Sequence, residues 1–232
     1  PNLHARIGEL IDQIKNRTST RLAVLTNGSL LWLDDLRRAL QPADLVIPSL
    51  DAGDAQLFQQ VNRPCREIDF ETMLDGLAEF RRVFRRQIWL EVFLLADVNS
   101  RPADVDRLAA ATARLQPDLV QINTVTRPPC EDFARPVSRL RLEEAAARFH
   151  QPTDVIKESP ISAAHVTYPE RVTDDDILAL LARRPCTVEG VANGLALHIN
   201  EASKRLQKLC HDGAVSTLRK DGETFYLMDS RK

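Results

Sequence analysis

Short apolar runs that end in small polar residues, each followed by a helix-period segment, constrain this chain more than any other feature. The clearest case spans 22–51. It reads Leu22-Ala-Val-Leu-Thr-Asn-Gly28, then Leu33, Leu36 and Leu40 at helical spacing, then Leu45-Val-Ile-Pro-Ser-Leu-Asp51. A run, a helix and a second run form a βαβ unit, with parallel strands and a right-handed crossover. Ligands of α/β sheets sit at the carboxyl ends of the strands. Thr26, Asn27, Ser49 and Asp51 are therefore the first candidates for ligand contact.

The pattern repeats along the chain. Leu3, Ile7, Leu10, Ile11 and Ile14 predict an opening helix from about Leu3 to Arg17. Asp54 and Asp69 are placed to cap two further helices. Ile88-Trp-Leu-Glu-Val-Phe-Leu-Leu95 is nearly continuous in apolar residues and predicts a strand covered on both faces. Asn99 reads as a helix cap before Val105, Leu108 and Leu115. Leu119–Val125 is a further strand, followed by a proline-rich loop and a helix from Arg141 to Phe149. Four strands alternating with helices over 1–150 are too few for a closed barrel, which needs about 200 residues or more. A partial parallel (β/α) barrel is the expected fold. The segment 151–171 carries Pro152, Pro160 and Pro169 without a period and reads as a linker. Over 172–232 the pattern becomes three short helices and a hairpin around Lys220-Asp-Gly222, the α+β layout of a winged helix.

A net charge of −2 implies no global attraction to nucleic acid or membrane, and no stretch is apolar enough for a membrane helix. Cys65, Cys130, Cys186 and Cys210 lie far apart and read as reduced thiols of a cytoplasmic protein. Pro1 in first place points to a piece of a longer protein.

Several strand ends resemble those of the radical S-adenosylmethionine (SAM) superfamily, in that family's order. Pro1-Asn-Leu-His4 is similar to the tail of its Gly-Gly-Glu-Pro segment, and Thr26-Asn27-Gly28 to the end of its third strand. Ser49-Leu-Asp51-Ala52, with Phe58 and Asn62-Arg63-Pro64, resembles the fourth-strand region of its molybdenum-cofactor and tRNA-wyosine members. Glu91–Asn99 resembles the fifth strand and its turn, and Gln121-Ile-Asn123-Thr-Val-Thr-Arg127-Pro-Pro129 the sixth. The nearest likeness is to a group of iron–sulfur oxidoreductases that end in a winged helix. The resemblance implies that 1–150 supplies strands three to six of a radical SAM barrel. It implies that the full-length protein cleaves SAM reductively with a [4Fe–4S] cluster and modifies a substrate that the sequence does not identify. The family's Cys-x-x-x-Cys-x-x-Cys is absent from this chain and is expected upstream of Pro1. This segment alone is then inactive.

On the same resemblance, Ser49 and Asp51 would meet the ribose hydroxyls of SAM, and Thr26 and Asn27 its methionine part, against ordinary turn chemistry at all four. Glu91, inside an apolar run, either reaches a ligand or pairs with a structural arginine. Asn123 and Arg127 would bind adenine-side groups or a substrate anion, with Arg127 alternatively pinning the proline-rich loop. The five histidines show no ligand spacing. In the last domain Lys204, Arg205 and Lys208 are expected on an outward helix face, and Arg219 and Lys220 in the wing. Ten basic and ten acidic residues from Glu170 to Lys232 balance, which favours docking of a peptide or protein over nucleic acid. The competing reading is a non-catalytic ligand-sensing domain joined to a DNA- or protein-binding module.

Overall fold

Strict alternation of buried and accessible residues, rather than continuous burial, builds the sheet of this protein. In the computed structural model, residues 6–126, 128–129, 131, 133–156, 172–220 and 222–228 are described. The chain divides into two compact units, Pro1–Val125 with Asp132–Ile156, and Thr126–Glu131 with Lys157–Lys232.

The first unit carries a five-stranded parallel sheet in the order β1 (Ala23–Thr26), β2 (Leu45–Pro48), β3 (Gln87–Leu94), β4 (Leu119–Thr124) and β5 (Thr153–Val155). Its helices are α1 (Ile7–Arg17), α2 (Asp34–Ala39), α3 (Ala55–Val61), α4 (Phe70–Val83), α5 (Pro102–Leu115) and α6 (Arg139–Ala146). Each strand pairs with the next in sequence, so right-handed crossovers put every connecting helix on one face. The result is a partial barrel. Val24, Val46, Ile88, Leu90, Val92, Leu94, Val120 and Ile122 point into the helix layer and are buried. The alternate residues Leu25, Ile47, Trp89, Glu91, Phe93, Gln121 and Asn123 are half-buried or exposed. Two sequence expectations are corrected by this. The strand from Ile88 is fully buried on one face only, Trp89, Glu91 and Phe93 on the other being half-buried. The segment read as a linker from Gln151 begins with a fifth strand, β5, which pairs with β4; its three residues are too short to show a period.

Local chemistry starts and stops the helices as the sequence suggests. The Asp54 and Asp69 carboxylates accept from Leu57 N and Thr72 N at 2.9 and 2.8 Å, each cap contributing about 1 kcal/mol. Gly28 turns out of β1 with φ 71°. Phe80 stacks on Phe84 with ring centroids 4.8 Å apart. Gly76 lets α4 touch the chain at Trp32, because a Cβ there would lie 2.4 Å from Trp32 N. The opening helix is described from Ile7, and Leu10 faces outward rather than inward.

The second unit contains α7 (Asp174–Arg183), α8 (Val188–Gly194), α9 (Ile199–His211) and the antiparallel pair β6 (Val215–Lys220) and β7 (Glu223–Met228). Cys186 bridges to Tyr226 and adds a second antiparallel pairing. Thr173 and Asp176 form a reciprocal capping box at α7, and Gly213 follows α9 with φ 69°. The core is Ile177, Leu181, Val191, Ala202, Leu206, Leu209, Val215 and Phe225. Among the described residues no helix is long and apolar enough to cross a membrane.

Candidate functional site

The carboxyl ends of β2 and β3 are held together by one buried side chain. Asn99 is fully buried. Its Oδ1 accepts from Leu95 N at 2.7 Å, and its Nδ2 donates to the carbonyls of Asp51 and Phe93 at 2.8 and 2.9 Å. The helix-cap expectation for Asn99 is therefore corrected: Arg101 stands at the N-cap of α5, and Asn99 ties two strand ends instead.

Asp51 projects from the end of β2. Its Oδ1 accepts from Phe93 N at 2.9 Å and its Oδ2 from Asn62 Nδ2 at 3.0 Å. Burial pushes the Asp51 carboxyl up to about 6, and the nearby Glu91 charge adds to this, while the two hydrogen bonds pull the other way. Each carboxylate oxygen keeps one acceptor lone pair beyond these bonds. A diol such as ribose would use both. Ser49 lies between β1 and β3: its N–H bonds Thr26 O at 3.0 Å, and its hydroxyl donates to Glu91 Oε2 at 3.3 Å.

The strand register turns these residues into a row. Ser49 lies opposite Glu91, Glu91 opposite Gln121, and Gln121 opposite Asp154. Neighbouring strands are about 4.8 Å apart, so this polar row is about 15 Å wide on the open face. One step towards the amino ends lie Ile47, Trp89 and Leu119; one step towards the carboxyl ends, Phe93 lies opposite Asn123. Glu91 thus faces the open side of the sheet, and its hydrogen-bond partner is Ser49 rather than an arginine.

The remaining candidates separate. The Thr26 side chain is 5% exposed, and its Oγ1 accepts from Gly28 N at 3.2 Å, which is the turn chemistry set against ligand binding. Asn27 is exposed; its Oδ1 accepts from Ser29 N and Oγ. It lines a cavity of about 480 Å³ with Phe58, Asn62, Arg63, Cys65 and Met73. Asn123 accepts from Thr124 N on the open face. Arg127 lies outside the described residues, as do Cys130 and the opening Pro1-Asn-Leu-His4. Near the end of β4 the Thr124 hydroxyl donates to Leu94 O and accepts from Val137 N. Asp154 is no candidate in the sequence, and Gln121 and Asn62 enter there only as members of the resembling motifs. Counting in twos from Glu91 would have pointed to the aromatic neighbours Trp89 and Phe93, but Gln121 and Asp154 emerge only from the strand register.

Among the described residues no three of His, Cys, Asp and Glu come together as a metal site. Cys65, Cys186 and Cys210 are free thiols, and the last two belong to the second unit. The described residues do not fit a [4Fe–4S] cluster. In the second unit Arg205 is not on an outward face: it is half-buried, with Nε on Glu201 and Nη1 on the Val172 carbonyl. Lys208 is bound to Asp174 at 2.8 Å, whereas Lys204 is exposed.

No protein-family model matches the chain. It is 37% identical over 216 residues to the GTPase Obg of Brachyspira hyodysenteriae, a match covering 93% of this chain and 32% of that protein. The chain thus spans about a third of that relative's length. It is 24% identical over 233 residues to a UPF0026 protein of Methanocaldococcus jannaschii, covering 98% of this chain and 71% of the relative. A domain of a pyruvate-formate lyase-activating enzyme from Bacteroides vulgatus overlays with a TM-score of 0.54 and 15% identity, over 68% of this chain and 94% of that domain. A radical SAM methyltransferase from Sphaerobacter thermophilus overlays with a TM-score of 0.48 and 22% identity, over 58% of this chain and 39% of that one. The Bacteroides likeness is one of fold, and the fold is the partial α/β barrel described above.

Proposed function

We propose that this chain is the SAM-holding later part of a radical SAM enzyme. The observation that carries the reading is the end of β2. There Ser49 and Asp51 stand beside the polar row, and Asp51 offers two acceptor oxygens with no cationic partner among the described residues. The motif resemblance along 1–129 and the likeness of fold to the Bacteroides domain support it. So does the position of β1, an edge strand whose Leu25 is 57% exposed, where earlier strands of such a barrel would pair. Asp51 and Ser49 would hold the ribose hydroxyls. Asn27 and Asn123 would contact the outer parts of the same molecule, and Glu91 would face the reacting region from the sheet. Bound SAM would supply the adenosyl and methionine groups of the reaction. The cluster that acts on it finds no ligands among the described residues.

The second unit reads as a winged helix that docks a peptide or protein partner. Its balanced charge and the internal pairing of Arg205 and Lys208 support that use over nucleic-acid binding.

Calorimetric titration of SAM into this chain tests the proposal. Binding that falls at least about tenfold in Asp51→Asn and in Ser49→Ala is expected, since each removes one or two hydrogen bonds to the ligand. Equal binding by all three proteins overturns the assignment of these residues. For the whole protein, oxygen-free reconstitution should give iron, sulfide and release of 5′-deoxyadenosine; their absence overturns the radical SAM reading itself.

A further inference from the structure

A second cavity lies between the start of α5 and the flank of α6, away from the polar row. Its volume is about 350 Å³, and its lining includes Ser100, Arg101, Arg141, Glu144 and Arg148. Three guanidinium groups thus border one small space. Arg148 is held in place by Asp106 at 2.5 Å. The guanidinium groups of Arg101 and Arg141 make no hydrogen bond or ion pair among the described residues. Two carboxylates also line the space. Asp97 is already engaged by Arg135 at 2.7 Å, and Glu144 has no ion pair among the described residues. The remaining lining, Pro102, Val105 and Ala145, is small and apolar.

Like charges placed side by side repel, and here the fold supplies only one unengaged counter-charge for two unpaired guanidinium groups. A guanidinium presents a rigid fork of N–H donors that matches the oxygens of a phosphate two at a time. The Ser100 hydroxyl adds a donor, and the volume suits a phosphoryl group with a small adjoining part. The positive end of α5 adds to the same field but would not by itself make a site. Position matters too. Ser100 and Arg101 directly follow Asn99, the residue that ties the ends of β2 and β3. A group anchored here lies beside the turn that shapes the candidate site.

We propose that Arg101, Arg141 and Arg148 bind a phosphoryl group of a ligand. The proposal does not depend on the SAM reading, because none of these residues lies on the polar row.

The test titrates inorganic pyrophosphate into the full chain at low salt, with Arg101→Ala, Arg141→Ala, their double variant and Glu144→Gln in parallel. All the substituted side chains are at the surface, away from the core, so the fold is retained. Each arginine variant is expected to bind about tenfold more weakly, as loss of one charged hydrogen bond implies. The double variant is expected to lose binding, and Glu144→Gln to bind several-fold more tightly. A labelled twelve-nucleotide RNA in the same buffers identifies the source of the phosphate. RNA binding with the same dependence on arginine, falling steeply with salt, assigns it to a polynucleotide backbone. Pyrophosphate binding alone assigns it to a small phosphorylated molecule. Failure of the natural chain to bind either probe overturns the proposal. So does equal binding by the double variant, or weaker binding by Glu144→Gln.

Discussion

Asp44 and Asp51 bracket strand β2, one just before it and one just after, and the protein treats them in opposite ways. Asp44 sits at the amino end of the sheet. The Lys15 ammonium at 2.6 Å, the Leu22 N–H and the Arg86 guanidinium hold its carboxyl down to about 2. Asp51 sits at the carboxyl end with amide donors only, and burial pushes it up to about 6. Asp118, also at the amino end, is likewise engaged, by Arg81 and the Ile88 N–H. One end of the sheet is neutralised by its own cations; the other keeps a carboxylate whose charge is not compensated. A fold closed for stability alone would have no use for that asymmetry. A fold that receives a ligand at one end would.

The most damaging way to break the contrast is Asn99→Ala. It strands the Leu95 N–H and the carbonyls of Asp51 and Phe93, and is expected to cost about 3 kcal/mol or more in urea unfolding with an unchanged slope. A cost below about 1 kcal/mol would mean the carboxyl end is not a built frame.

Asp51→Asn is next and has the opposite sign. A raised carboxyl pKa means that the native state holds the proton more tightly than the unfolded chain does. Stability is then full below about 4 and falls as pH climbs to about 6. Removing the charge removes that fall, so the variant should gain about 2 kcal/mol at pH 8 while weakening the proposed SAM binding. A variant that is less stable at pH 8 would show that Asp51 serves the fold.

Asp44→Asn should lower the melting temperature at pH 7. Its natural contribution is present above about 4 and fades as pH drops toward 2, so the two melting curves converge in acid. Raising the salt should narrow the gap at neutral pH. Ser49→Ala has the smallest expected effect on stability, within about 0.5 kcal/mol. A change confined to ligand affinity would sharpen the division between the two ends.

Much of this arrangement is legible in the chain itself. The βαβ run, the caps at Asp54 and Asp69, and the placing of Ser49 and Asp51 at a strand end follow from period and turn chemistry. Other parts depend on what lies across space. A strand open on one face and a strand covered on both read alike when the open face carries Trp89 and Phe93. Strand β5 has three residues and no pattern to detect. Thr26 and Ser49 each end an apolar run, yet one side chain turns into its own loop and the other bonds a neighbouring strand. The tie made by Asn99 joins residues 48 positions apart, which no local rule reaches.

The one-sided sheet has a consequence for how such a chain can change over time. Along β3 the even-numbered residues Ile88, Leu90, Val92 and Leu94 carry the packing, and the odd-numbered Trp89, Glu91 and Phe93 face outward. Parity therefore separates two kinds of innovation. Odd positions can change their chemistry while the even positions keep the protein folded. A saturation library over 87–94 should show this as tolerance for folding that rises and falls every second residue.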